Sequence, residues 1–106
     1  MQIETRQVSL PLSDALRAFI DNRVGATLRR HIDRVARVVV RLNDVNGPRG
    51  GGADKVCKIQ VDLDSKACLV AEGTSHDIYN AVRDAAIKLG HAVDRRLGRQ
   101  RADSHH

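Results

Sequence analysis

Between Ser75 and Arg101 the apolar residues Ile78, Val82, Ala85, Leu89, Val93 and Leu97 recur at steps of three and four, and no proline interrupts them. That spacing places all six on one face of a helix. Ser75 is the expected N-cap, its hydroxyl accepting a hydrogen bond from an unpaired amide of the first turn, and Asp77 suits the positive end of the helix dipole. Beside the apolar stripe run Lys88, His91, Arg95 and Arg99, again at threes and fours. One helix therefore carries a core-facing stripe and a cationic ridge, and the rest of the chain must provide the scaffold that covers the stripe and presents the ridge.

That scaffold is legible in order. Gln2 to Val8 is short, partly alternating and free of breakers, which predicts a strand. Ser9 to Leu12 connects it to a helix for which Ser13 is the N-cap and Leu12 a hydrophobic staple. Leu16, Phe19, Ile20, Val24, Leu28 and Ile32 keep a helical period, so the first helix spans Asp14 to His31. It runs through Gly25 at a cost of about 1 kcal/mol relative to alanine. From Val35 to Leu42 the period changes to two, with Val38, Val40 and Leu42 inward and Arg37, Val39 and Arg41 outward. Asn43 to Ala53, rich in glycine and containing Pro48, is a loop longer than most hairpin connections. Cys57, Ile59, Val61 and Leu63 alternate with Lys58, Gln60 and Asp62 in a third strand, Asp64-Ser65-Lys66 is a turn, and Ala67 to Thr74 is a fourth strand.

The order β-α-β-β-β-α with two amphipathic helices predicts an α+β fold, a two-layer sandwich of a four-stranded sheet with both helices on one face. Strands two to four form a meander. Strand one joins through a helical crossover, which calls for parallel pairing with another strand. The open sheet face would carry Arg37, Arg41, Lys58 and Gln60. Residues 1–101 are expected to form one domain, and residues 102–106 a frayed tail.

Lysine and arginine number 18 against 13 acids, a net charge of +5 and a pI near 9.9. This balance favours anionic partners, nucleic acid or an anionic membrane surface. No apolar run approaches the roughly 18–20 residues of a membrane span, and no charged-then-apolar signal segment opens the chain. No membrane association and a cytoplasmic location are the expectation. Cys57 and Cys68 lack the spacing and companions of a zinc site. They could face each other across a hairpin, with reduced thiols the simpler arrangement. With one Phe and one Tyr, stacking on single-stranded bases has almost no platform. Recognition of folded RNA through shape and backbone fits better. The glycine-rich loop lacks the Lys-Ser/Thr ending of a phosphate-binding P-loop. No His-Asp-Ser, Cys-His or paired-carboxylate arrangement is legible, so no catalytic residues, metal, cofactor or small-molecule substrate are expected. The plainer reading of the basic residues is a solvated helix face, with Arg17 and Arg23 paired to Asp14 or Asp21.

Met1-Gln2-Ile3, Leu12-Ser13-Asp14-Ala15-Leu16-Arg17, His31-Ile32-Asp33-Arg34, and Ala71-Glu72-Gly73 followed by Asp77-Ile78-Tyr79-Asn80-Ala81 together carry a resemblance. In this ordered set the chain resembles the ribosome hibernation-promoting factor family, which includes the ribosome-associated inhibitor A (protein Y) and is also labelled sigma-54 modulation protein. The resemblance implies binding of the small ribosomal subunit and its 16S-type ribosomal RNA in the decoding cleft. There such proteins block mRNA and tRNA and hold ribosomes inactive in starvation, stationary phase and stress. It also implies contacts from basic residues of both helices. Lys88 with Leu89 resembles the family's Lys-Leu pair, Arg95 to Arg101 stands in place of a lysine-rich end, and Arg17 and Arg23 occupy matching positions. The expected RNA-binding set is Arg17, Arg23, Arg30, Lys88, His91, Arg95, Arg96 and Arg99. The chain stops soon after the last helix, as in a short form without the C-terminal domain that pairs ribosomes. Arg83, Gly90, an additional residue between Arg23 and Asp33, and the long loop depart from the family pattern. They motivate the alternative, a protein-interaction regulator of the same fold that does not bind ribosomes. Weak self-association is left open.

Overall fold

The structure, a computed structural model, describes residues 3–7, 12–44 and 55–98. Alternating residues build its sheet from β1 (Ile3–Gln7), β2 (Val35–Asp44), β3 (Lys55–Leu63) and β4 (Cys68–Ser75), in the spatial order β1-β2-β3-β4. β1 pairs parallel to β2, and the remaining pairs are antiparallel, so Thr5, Val40, Ile59 and Ala71 lie in one row across the sheet. Because side chains alternate along a strand, Val38, Val40, Leu42, Cys57, Ile59, Val61 and Leu63 share one face, and each is at most 2% exposed.

Two helices cover that face. α1 (Asp14–Leu28) buries Leu16, Ile20, Val24 and Leu28, and α2 (Ile78–Val93) buries Ala81, Val82, Ala85, Ala86, Leu89 and Val93. The result is the expected α+β sandwich. The Ser13 cap is present, its hydroxyl accepting from the Leu16 amide at 3.1 Å, and half-buried Leu12 packs against the core. The helices run in the same direction. Phe19 and Tyr79, near their starts, meet edge-to-face with centroids 5.0 Å apart. Near their ends, a Cβ on Gly90 would lie 3.3 Å from Thr27 Cγ2. α2 also sits directly on β4, for a Cβ on Gly73 would lie 2.5 Å from the Ala85 amide nitrogen and nearer still to the Ala81 carbonyl oxygen. Glycine there, with alanines opposite, permits this backbone contact.

Several boundaries differ from the sequence expectation. Ser75 is not the cap of α2. It ends β4, and its hydroxyl accepts from the Asp77 amide at 3.2 Å, while the Asp77 carboxylate caps the helix by accepting from Tyr79 N at 2.9 Å. A carboxylate directly before the first turn outcompetes a hydroxyl two residues earlier. α1 stops at Leu28 instead of His31, and Arg29–Arg34 tightens into a 3-10 segment interrupted at His31 (φ −124°, ψ 19°). His31 thereby turns inward, 5% exposed, while Ile32, expected on the apolar stripe, is 40% exposed. α2 does not continue to Arg101 as an α-helix, because residues Asp94–Gly98 form a π turn. β2 extends through Asn43 and Asp44, taking them from the expected loop. The rest of that loop, the tail 102–106 and Arg99 lie outside the described residues.

Val39 follows the outward alternation but is 2% exposed. Its cross-strand neighbours are Glu4 and Gln60, and Arg37 and Arg41 flank it along the strand. The aliphatic stems of such side chains cover apolar surface while their heads remain in water. The cysteines do not face each other, since Cys57 lies opposite Gly73 and Cys68 opposite Asp62. Both are free thiols. Burial pushes the Cys57 thiol up to about 12, which keeps it protonated in the core.

Candidate nucleic-acid interface

Where the parallel helices end, their C-terminal turns bring together basic residues far apart in sequence. α1 ends without a glycine cap, and its last orphan carbonyls are met by the tighter 3-10 turn, with the Arg29 amide donating to Ala26 O. This turn carries Arg29 and Arg30 and sends the His31 ring inward. On α2 the Asp94 amide donates to both Gly90 O and His91 O, and the chain then widens into the π turn. Leu97, 5% exposed, anchors that turn to the core, leaving Arg95 and Arg96 exposed.

Asp94 joins the two ends. Its Oδ1 accepts from Arg30 Nη2 at 2.9 Å and lies 3.2 Å from His31 Nε2. Partial burial pushes the Asp94 carboxyl up, but the hydrogen bonds and charges of Arg30 and His31 outweigh it and hold the group below its ordinary value. Asp94 is thus a carboxylate at neutral pH. No local pattern could have revealed this cluster, because Asp94 stands 63 residues from His31.

The expected RNA-binding residues fall into three groups. Arg17 and Arg23 are exposed on α1, Arg95 and Arg96 on the π turn, and His91 in the last turn of α2. Among the described residues none of these five, nor Arg29, has an ion-pair partner. Arg23 instead lies over the Phe19 ring, 5.4 Å from its centroid. Arg17 makes no ion pair with Asp14 or Asp21, contrary to the plainer expectation. The second group, Arg30 and Lys88, is engaged. Arg30 is held by Asp94, and Lys88 pairs with Asp84 at 3.2 Å and donates to the Glu72 carbonyl at 3.2 Å. Lys88 is therefore not a free member of the ridge. Arg99 alone forms the third, outside the described residues.

The open sheet face is organised differently. Glu4 accepts from Arg37 at 2.9 Å and from Arg6 at 3.1 Å, Lys58 stands 3.7 Å from Glu72, and Arg41 reaches Gln60 at 3.5 Å. The hydrogen bond from Arg37, then that from Arg6, holds the Glu4 carboxyl below its ordinary range, and Glu4 in turn raises Arg37. Among the described residues no group of three or more His, Cys, Asp or Glu could hold a metal ion. Among them, too, no helix is long and apolar enough to cross a membrane.

Residues 1–101 match the family model described as Sigma 54 modulation protein / S30EA ribosomal protein. The fold is similar to the N-terminal domain of Thermus thermophilus Protein Y, with a TM-score of 0.73 at 25% identity over 90% of this chain and 98% of that one. It is also similar to a ribosomal subunit interface protein from Coxiella burnetii, with a TM-score of 0.67 at 19% identity over 96% of this chain and 99% of that one. No curated protein sequence matches the chain.

Proposed function

The chain belongs to the sigma 54 modulation protein / S30EA ribosomal protein family, and on that premise we propose that it is a ribosome-hibernation protein of the cytoplasm. Residues 1–101 act as one unit that binds small-subunit ribosomal RNA at the decoding cleft, excludes mRNA and tRNA, and holds the ribosome inactive under stress. The observation that carries the reading is the set of exposed arginines on the helical layer that have no ion-pair partner among the described residues, namely Arg17, Arg23, Arg29, Arg95 and Arg96.

The mechanism is phosphate neutralisation. Folded RNA concentrates charge, and each guanidinium that meets a phosphate releases condensed counterions, so affinity falls steeply as salt rises. Arginine also offers phosphate two parallel hydrogen bonds, which lysine does not. Arg95 and Arg96, on a turn anchored by Leu97, form the centre of this surface. Arg17 and Arg23 extend it along α1, and His91 and Lys88 border it. With Phe19 and Tyr79 packed edge-to-face against each other at the core edge, the surface reads RNA shape and backbone instead of unstacked bases.

Co-sedimentation with separated ribosomal subunits across a salt series tests this. Saturable binding to the small subunit that weakens steeply with salt is expected. Absence of binding at low salt, with recovery of one protein partner and no ribosomal RNA in a pulldown, would establish the protein-interaction regulator in its place.

A further inference from the structure

Arg30 differs from the other basic residues of the helix ends in being held. Its Nη2 donates to Asp94 Oδ1 at 2.9 Å, yet its side chain remains 66% exposed. A guanidinium has five N–H donors in a rigid fork, so one bond to Asp94 leaves the other edge available to a phosphate. Asp94 is itself fixed, because the same Oδ1 meets Nε2 of His31, whose side chain is 5% exposed. The buried imidazole, the carboxylate and the exposed guanidinium thus form a chain from core to surface. It joins the 3-10 segment after α1 to the start of the π turn, one residue before Arg95.

We propose that Asp94, anchored by His31, is a positioning residue that sets Arg30 beside Arg95 and Arg96 so that the three present one preformed site for an RNA phosphodiester. This rests on the ribosome-binding reading above and deepens it. Without the tether, Arg30 would sample many rotamers from a 3-10 turn and lose that freedom on binding; an arginine already ordered loses less. An acid in a cationic surface otherwise opposes binding of a polyanion. The tether gives it a role in holding one arginine's fork toward the phosphate.

A double-mutant cycle separates positioning from masking and from simple repulsion. Binding of the full chain to purified small subunits is measured for the parent, Arg30→Ala, Asp94→Asn and the double variant. Asparagine keeps a neutral acceptor for His31 and weakens the tether by removing the charge that draws Arg30, and unchanged melting curves establish that the fold is intact. The sign of the coupling is the readout, because the charge of Asp94 itself cancels between the two arms. Positioning predicts that Arg30→Ala weakens binding about fivefold or more with Asp94 present and about twofold or less in the Asp94→Asn background, as expected when one side chain is no longer preorganised. Asp94→Glu, which retains the carboxylate, should restore part of the Arg30 dependence. An equal effect of Arg30→Ala in both backgrounds, or a larger one without Asp94, overturns the inference while leaving ribosome binding in place. A parent chain that fails to bind at low salt overturns the functional reading and this inference together.

Discussion

On the open face of the sheet, Arg37 and Arg6 close on Glu4 and Lys58 approaches Glu72, whereas at the helix ends Arg29, Arg95 and Arg96 meet no acid among the described residues. The local geometry accounts for the difference. Strand register places Lys58 directly opposite Glu72 and sets Arg37 within reach of Glu4, and such cross-strand neighbours stand close enough for opposite charges to interact. A helix provides a partner only at three or four residues' distance. Lys88 finds one in Asp84, but the residues three and four before Arg95 are Ala92 and His91, and those before Arg96 are Val93 and Ala92. Both regions are rich in cations. Among the described residues the sheet face leaves Arg41 against the neutral Gln60 amide alone, whereas the helical layer leaves Arg17, Arg23, Arg29, Arg95 and Arg96 without an acid, so the available positive charge is concentrated on the helical layer.

The largest effect separates loss of fold from loss of binding. Leu89 is fully buried on the inner side of α2, and Leu89→Ala should cost about 2–5 kcal/mol of stability through reduced burial and the cavity left behind. Below its lowered melting temperature, the variant should keep the parent's salt dependence of ribosome binding. A parental melting curve would contradict the assigned core face, and a flattened salt slope in folded protein would erase the distinction between inner and outer sides.

The comparison between the two cationic regions is tested by paired double substitutions. Arg95→Ala with Arg96→Ala should weaken small-subunit binding on the order of tenfold to a hundredfold and reduce the salt slope by about 1–2, one step for each phosphate no longer neutralised. Arg37→Ala with Lys58→Ala removes the same formal charge from the sheet and should change binding by about threefold or less, since both cations already face carboxylates and exposed pairs contribute little. Equal losses in the two variants, measured by salt-series co-sedimentation, would mean that net charge and not its placement governs binding.

Much of this contrast is written in the chain, and the missing part is non-local. The switch from a period of three and four to a period of two marks both helices and the two central strands, because burial of one face imposes that repeat, while the edge strands are read from the absence of breakers and from the turn at Asp64-Ser65-Lys66. The polar character of Arg37, Arg41, Lys58 and Gln60 followed from the same alternation. The burial of Val39 did not, since it depends on the stems of neighbouring strands. Helix ends were the weak point. Ser75 and Asp77 are both competent caps, and the end of β4 at Ser75, which leaves Asp77 directly before the first turn, decides between them. The α-to-3-10 change after Leu28 brings His31 to Asp94 across the packed helices, a contact between residues 63 apart. At the candidate site, arginines were legible by type and spacing, but their availability was not. Pairing holds Lys88 and Arg30, while Arg17 is unpaired despite acids at helical distance on both sides.

A smaller effect appears on acidification, where the sheet face should respond through Glu4. Arg37 and then Arg6 depress its folded pKa below the reference value of 4.5. A group whose pKa falls on folding adds stability above its unfolded value, and that contribution is lost as pH drops through the folded one. The urea midpoint should therefore fall below about pH 4.5, and Glu4→Gln should show a shallower decline than the parent over the same range. Because the group is solvent-exposed, the difference should be small, and its salt sensitivity should identify it as electrostatic. Identical acid limbs for the two proteins would remove Glu4 from the network that neutralises this face.

The gentlest intervention acts on the scaffold under the helical surface and tests whether that surface can be stabilised without altering its contacts. Gly25 lies inside α1, where glycine costs about 0.8–1 kcal/mol relative to alanine, and a Cβ built there meets nothing within 4 Å. Gly25→Ala should therefore stabilise the protein by about 0.5–1 kcal/mol, chiefly by narrowing the unfolded ensemble. Its ribosome affinity and salt slope should be unchanged. Gly90 provides the contrast, because its Cβ would approach Thr27 Cγ2 to 3.3 Å, so Gly90→Ala must shift the α1–α2 contact to gain the same helix propensity. Urea titration should place Gly25→Ala above the parent and Gly90→Ala below Gly25→Ala. A Gly90→Ala variant equal to Gly25→Ala in both midpoint and ribosome affinity would mean that the helix pair yields freely at Thr27. The spacing of the two helix ends would then be adjustable, and the arginines they carry would not depend on it.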